Sequence, residues 1–122
     1  MPYVDGFVLP LKKKDVGAYR RTASLAGKVW IEHGALEYRE CLGDDLHSEG
    51  VGSFIQGAKL KRGETVVFAW ITYRSRAHRD KVNAKVMADP RMGKCAETMP
   101  KMDMTRMMYG GFKVIVAREA ST

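Results

Sequence analysis

The stretch EHGALEYRECLGDD, residues 32–45, concentrates carboxylates in a chain that is otherwise basic. It holds five acidic side chains and one arginine, while the whole chain has 21 Lys and Arg against 14 Asp and Glu. The acid is therefore local and asks for a local reason. Converging carboxylates can hold a divalent cation or divide acid–base work between them, provided they reach one point. On a strand, alternate side chains point to opposite faces, so Glu37 and Glu40 diverge. Asp44 and Asp45 lie in the turn beyond, where bonds to local backbone are the ordinary task of aspartate. His47 with either aspartate has the right ligand types but no repeated spacing and no H-x-x-x-H pair, so no metal is expected. Glu40 remains. It shares the more apolar strand face with Leu36, Tyr38 and Leu42, opposite Glu37, Arg39 and Cys41. A buried carboxylate must be paired or must titrate at raised pH. Arg74 is the cation expected to pair with Glu40; ligand binding or acid–base work is the alternative.

His33 ends an apolar helical stripe, one turn beyond Trp30. There an imidazole serves the last carbonyls and the helix dipole, or carries protons if it lines a cleft. Trp70 and Tyr73 read first as core or interface and second as a ligand platform. The methionines at 99, 102, 104, 107 and 108 fill irregular gaps or line an adaptable apolar pocket. Cys41 and Cys95 have no C-x-x-C spacing. Cys41 is expected as a small core or interface residue, and Cys95, beside Lys94, as exposed. No phosphate-binding loop, dinucleotide fingerprint or nucleophile elbow is present, so no cofactor is expected.

The elements that must position these residues alternate in type. Tyr3–Leu9 reads as a strand that Pro10 ends, with Tyr3, Asp5, Phe7 and Leu9 on one side. Asp15 is the expected N-cap of a helix whose stripe runs Val16, Tyr19, Ala23, Ala26, Trp30 and His33, stopped by Gly34. A second strand covers about 35–43. Residues 44–63 form a connection rich in Gly and charge, with a helical turn at 54–59. GETVVFAWITYRS is the strongest strand. Ser75 caps a helix from 76 to about 88 that packs through Ala77, Val82 and Val86, and Asp89-Pro90 ends it. The Met-rich stretch 92–108 has room for another helical turn. MMYGGFKVIVARE is the last strand, with Gly110-Gly111 marking a bulge or a close backbone approach. The order β-α-β-β-α-β predicts one α+β, ferredoxin-like domain over residues 1–122, an antiparallel sheet with its helices on one face.

The third strand bears on assembly. Val66, Phe68, Trp70 and Thr72 face one way; Val67, Ala69, Ile71 and Tyr73 face the other. Two helices cover one apolar face, and the second needs a cover that the chain does not supply. A second copy of the same sheet would supply it, so a homodimer through facing sheets is expected, against a monomer whose 44–63 connection folds over the sheet. No apolar run approaches a membrane span, and the lysines at 12–14 follow rather than precede the first apolar stretch, so a cytoplasmic protein without a secretory signal is expected.

The segments YVDGFVLPLKKKDVGAYR, EHGALEYRECLGDD, GETVVFAWITYRSRAHRDKVNAKVMADPR and MTRMMYGGFKVIV together resemble the bacterial family called DUF1428. The resemblance covers nearly the whole chain. It implies a dimeric α+β barrel and carries no catalytic residues over, because the family has no established activity. The wider superfamily includes cofactor-independent monooxygenases, lyases and isomerases, with ligands held between sheet and helices. The leading expectation is thus a homodimer binding a small molecule in that cleft, with His33, Tyr38, Glu40, Trp70 and Arg74 around it. Whether a reaction follows is left open. RNA-recognition domains share the element order, but their aromatic positions on the third strand fall here on Glu64, Val66 and Ala69. Specific nucleic-acid binding is not expected. Electrostatic contact by the basic groups is the rival reading, and a purely structural dimer is a third.

Overall fold

The computed structural model describes residues 1–121. Four strands, β1 (Tyr3–Lys12), β2 (Glu37–Leu42), β3 (Glu64–Tyr73) and β4 (Met108–Lys113), form one antiparallel sheet in the order β2-β3-β1-β4. The helices are α1 (Val16–Glu32), α2 (Phe54–Gly57), α3 (Arg76–Met87) and α4 (Arg91–Thr98), with 3-10 turns at Lys13–Asp15 and Met104–Arg106. The expected α+β order is present, with α2 and α4 as additions. Among the described residues no helix is long and apolar enough to cross a membrane.

The two-residue period of β3 separates two environments. Val67, Ala69, Ile71 and Tyr73 are buried beneath the helices, with Tyr3, Leu9 and Leu11 of β1. Phe68, Trp70 and Thr72 point to the other face with Val4, Val8 and Phe112. From α1, Tyr19, Thr22, Ala23, Ala26, Gly27 and Val29 are buried. The predicted stripe thus contains Tyr19, Ala23 and Ala26 but missed Thr22, Gly27 and Val29. Gly34 ends α1 with φ +114°. The Gly34 and Ala35 amides donate back to Ile31 and Trp30 carbonyls, closing a Schellman turn that only glycine adopts without strain.

Several boundaries differ from those predicted, each for a local reason. Pro10 does not end β1; it sits in register opposite Val66. The Val66 carbonyl accepts from Gly43 on its other side. In an antiparallel ladder this makes Pro10–Val66 a non-hydrogen-bonded pair, and the missing amide of Pro10 faces the side where β4 has already stopped at Met108. Asp15 occupies the N-cap position of α1 but makes no capping bond, because the chain enters through the 3-10 turn. Ser75 does cap α3, accepting from the His78 amide at 3.1 Å. Ala77 is exposed, and the buried residues of α3 are Val82 and Val86. Gly110-Gly111 makes no bulge, since β4 pairs with β1 without a skipped residue. Gly111 instead allows a close approach: a Cβ there would lie 2.8 Å from ring carbons of Tyr3.

Polar ties hold the layers together. Asp5, on the buried face of β1, receives Arg79 Nη1 of α3 at 2.7 Å, and the guanidinium lies 5.1 Å over the Tyr3 ring. Burial raises the Asp5 pKa in spite of Arg79. Trp30 Nε1 donates to Tyr73 Oη and Asn83 Oδ1 at 3.1 and 3.2 Å, tying α1 to β3 and α3. Arg106, in the turn before β4, donates from both Nη atoms to both oxygens of Glu64 at 2.7 and 2.8 Å. That fork, aided by the Lys61 amide, lowers the Glu64 pKa from 4.5 to about 2. A carboxyl with a depressed folded pKa adds stability that is complete above its unfolded pKa and is lost as pH falls through the folded one. Glu64→Gln should therefore flatten the fall of the thermal midpoint between about pH 4.5 and about pH 2 relative to the parent. Parallel acid titrations of unfolding measure that difference directly.

Candidate functional site

Glu40 lies on the helix side of the sheet. Its position opposite Ala69 places it on the same face as Tyr38, which stands opposite Ile71. Its partners are two phenols, not a cation. Tyr19 of α1 donates to Oε1 at 2.7 Å and Tyr38 donates to Oε2 at 2.6 Å. Among the described residues no Lys, Arg or His forms an ion pair with it. Burial, then the negative charge of Glu40, pushes the pKa of both phenols far above the ordinary tyrosine range. They remain donors at any working pH.

The local sequence explains how a tyrosine ring fits between strand and helix. A Cβ on Gly27 would lie 2.7 and 2.9 Å from carbons of the Tyr38 ring. The hydrogen atom at that position lets the ring lie flat against α1 and turn its hydroxyl toward Glu40. Tyr19 stands two helical turns earlier on the same face. The small side chains of Ala23 and Ala26 leave room between the two phenols.

Tyr19, Tyr38 and Glu40 form a wall shared by two cavities. The first, about 720 Å³, lies between α1 and the end of the sheet formed by β2 and β3; Leu11, Ala23, Leu42 and Val67 line it, with Arg20 and Lys28 on its helix side. The second, about 540 Å³, lies between sheet, α1 and α4, lined by Phe7, Trp30, Met92, Met99, Met102 and Met107. Both have the size and apolar lining of small-molecule sites. Each carboxylate oxygen accepts one phenol and keeps acceptor capacity for another donor. The cluster therefore offers a ligand acceptors, not donors, and a carboxylate so placed can also take a proton.

The chain matches the family described as "Protein of unknown function (DUF1428)" over residues 2–104. It belongs to that family. It is 46% identical over 118 residues to the uncharacterized protein YbaA of Escherichia coli K12, covering 95% of this chain and 98% of that one. Among solved structures it is similar in fold to an uncharacterized NIPSNAP domain protein from Burkholderia xenovorans, with a TM-score of 0.57, 11% identity and coverage of 96% and 99%. A NIPSNAP family protein of unknown function from Agrobacterium tumefaciens aligns with a TM-score of 0.55, 15% identity and coverage of 93% and 87%. These likenesses show the fold alone, an α+β chain of the ferredoxin-like kind.

Of the five residues expected around one cavity, this DUF1428 chain brings only Tyr38 and Glu40 together. Trp70 points to the opposite face, because it stands across from Arg39 rather than Glu40; its Nε1 donates to Glu37 Oε1 at 2.7 Å. Arg74 follows the last residue of β3, five positions from Ala69, or roughly 16 Å along a strand. It is exposed and does not pair with Glu40. His33 caps the far end of α1, where its Nε2 meets Asp89 at 2.8 Å. Arg91 and then His33 hold the Asp89 carboxyl well below the usual carboxylate range. This cluster joins α1 to the α3–α4 turn and lines neither cavity. Cys95, expected to be exposed, is buried on the inner side of α4, while Cys41 is not in the core but exposed on the edge strand opposite Phe68. Among the described residues no three His, Cys, Asp or Glu side chains are grouped so that they could hold a metal ion.

Sequence reasoning placed Tyr19 on the inner helix stripe but did not connect it with Glu40, and it missed Gly27. The signal available was the run of small residues Ala23, Ala26 and Gly27, which leaves space for a large side chain opposite. Gly27→Ala should destabilise the chain by about 1–3 kcal/mol through overpacking, and be nearly neutral where Tyr38→Ala has already removed the ring. Denaturant unfolding of the two single variants and the double variant measures that coupling.

Proposed function

We propose that this protein is a small-molecule-binding, cytoplasmic homodimer whose ligand site is the cleft walled by Tyr19, Tyr38 and Glu40. The observation that carries the reading is a carboxylate held by two phenols, without a cation, between two apolar cavities. A purely structural role would be met more cheaply by an apolar side chain at residue 40. Glu40 is fixed in direction, keeps free acceptor capacity and borders volume that a ligand can enter. Those are the requirements for binding a donor group. They also suit proton abstraction without a cofactor, and Glu40 is the residue we assign to it.

The dimer reading rests on the uncovered face of the sheet. Phe68, Met108 and Phe112 are 44%, 47% and 59% exposed there. The connection between β2 and β3 covers only one end: Leu46 packs near Gly43 and Val66, and the Phe54 ring meets Phe68 edge-on at 6.1 Å. Beyond it lies an apolar hollow of about 730 Å³ bordered by Val4, Gly6, Val8, Trp70 and Phe112. Past β4, Ile115 and Val116 are 85% and 74% exposed. A second copy stacked on this face would bury these side chains together, contributing on the order of several kcal/mol per subunit.

Two measurements test the reading. Native mass spectrometry of protein purified from its host should give a dimer with an added small-molecule mass that is lost on denaturation. Glu40→Gln should weaken retention of that molecule by about ten- to a hundredfold, the worth of a hydrogen bond to a charged acceptor. A bare dimer from both proteins would remove the ligand reading. For the assembly, Phe68→Asp with Phe112→Asp should give a folded monomer by light scattering; an unchanged dimer would place the interface elsewhere.

A further inference from the structure

The Met-lined cleft opens at one end onto a basic groove. Lys101 and Met102 line both the cleft and a neighbouring groove of about 310 Å³, which Lys12, Lys61, Glu64, Asp103 and Arg106 also line. The two carboxylates of that groove are already engaged. Arg106 takes both oxygens of Glu64 and, through Nε, Asp103 at 3.0 Å. Lys12, Lys61 and Lys101 are exposed, and among the described residues none of them forms an ion pair. Four cations against two carboxylates leave an excess of positive charge at the cleft mouth. At the wall formed by Tyr19, Tyr38 and Glu40 the polarity reverses. Glu40 is the carboxylate there; Arg39, which also lines the cleft, is drawn to Glu37 at 3.5 Å on the other side of the strand, and Arg20 and Lys28 line the neighbouring cavity rather than this one. Tyr19 and Tyr38 have already given their hydroxyl hydrogens to Glu40.

Resting on the cleft reading above, we infer that the natural ligand is an acidic amphiphile: an anionic head at Lys101, Lys12 and Lys61, an apolar body among the methionines, and a hydroxyl or phenol at Glu40. The polarity sets both class and direction. An acid placed inward would meet the Glu40 carboxylate. A cationic head placed outward would meet the lysines. The methionines tolerate bodies of different shape, because an unbranched thioether repacks easily. The inward group must donate, since Glu40 can only accept.

Calorimetry with an octyl series tests this at low salt, using octanoate, octanol, octylammonium and terminally hydroxylated octanoate. Octanoate should bind more tightly than octanol, and octylammonium least well. Lys12→Ala with Lys101→Ala should weaken octanoate about tenfold and leave octanol unchanged. Added salt should narrow the gap between octanoate and octanol. The terminal hydroxyl should add affinity in the parent and none in Glu40→Gln. Octanol or octylammonium binding as tightly as octanoate, in a manner that a cleft-filling Met99→Trp abolishes, would overturn this inference and leave the cleft reading intact. Binding of the whole series undiminished by Met99→Trp, in a variant with unchanged circular dichroism, would overturn both.

Discussion

The sheet has two apolar faces and helices enough for one. Most of the molecule follows from how that imbalance is met. The period of two along β3 sends Val67, Ala69, Ile71 and Tyr73 to one side and Phe68, Trp70 and Thr72 to the other. The helices take the first side because α1 carries the chain from β1 past β3 to β2, and α3 begins its passage from β3 past β1 to β4. The second side keeps a row of exposed aromatic and aliphatic groups, and the connection between β2 and β3 shields only one end. The same imbalance separates two kinds of surface: an uncovered apolar hollow on the open face, and cavities enclosed between sheet and helices.

Within the helix layer, two buried or half-buried carboxylates are treated in different ways. Asp5 meets a guanidinium and takes part in tying α3 to the sheet. Glu40 meets only hydroxyls. An ion pair satisfies a carboxylate and closes it to other partners. Two phenols orient it and leave acceptor capacity facing open volume. Tyr38 gains its place from the hydrogen-sized gap at Gly27. The site thus depends on a missing side chain as much as on those present.

The methionine-rich segment gives the cleft its remaining wall. It is anchored at both ends by polar contacts. At one end Thr98 meets Thr22 of α1 at 2.8 Å, and at the other Arg106 grips Glu64. Met99 and Met102 between these anchors, and Met107 just past the second, pack on the sheet side and line the cavity. Firm anchors around adaptable side chains give a wall that keeps its position while its surface adjusts to what it touches.

The element order, the two faces of β3 and the assignment of Tyr38 and Glu40 to one side of β2 were all legible in the residues, because strand alternation, helical period and turn chemistry are local. What the residues did not disclose was long-range. Arg74 looked a plausible partner for Glu40 until the register put it roughly 16 Å along the strand. Trp70 was lost to the site by a single step of alternation across the β2–β3 pair. His33 was drawn to Asp89 by a turn that only packed helices create. Pro10 looked like a stop because its missing amide is costly in a paired strand, but the neighbouring strand had already ended on that side. Sequence alone determined which residues of one strand share a side, since that depends on the strand's own backbone, but not which of the two sides the helices cover. Which residues meet across the cleft was decided only by tertiary structure, since it depends on strand register and on how closely α1 can approach at Gly27.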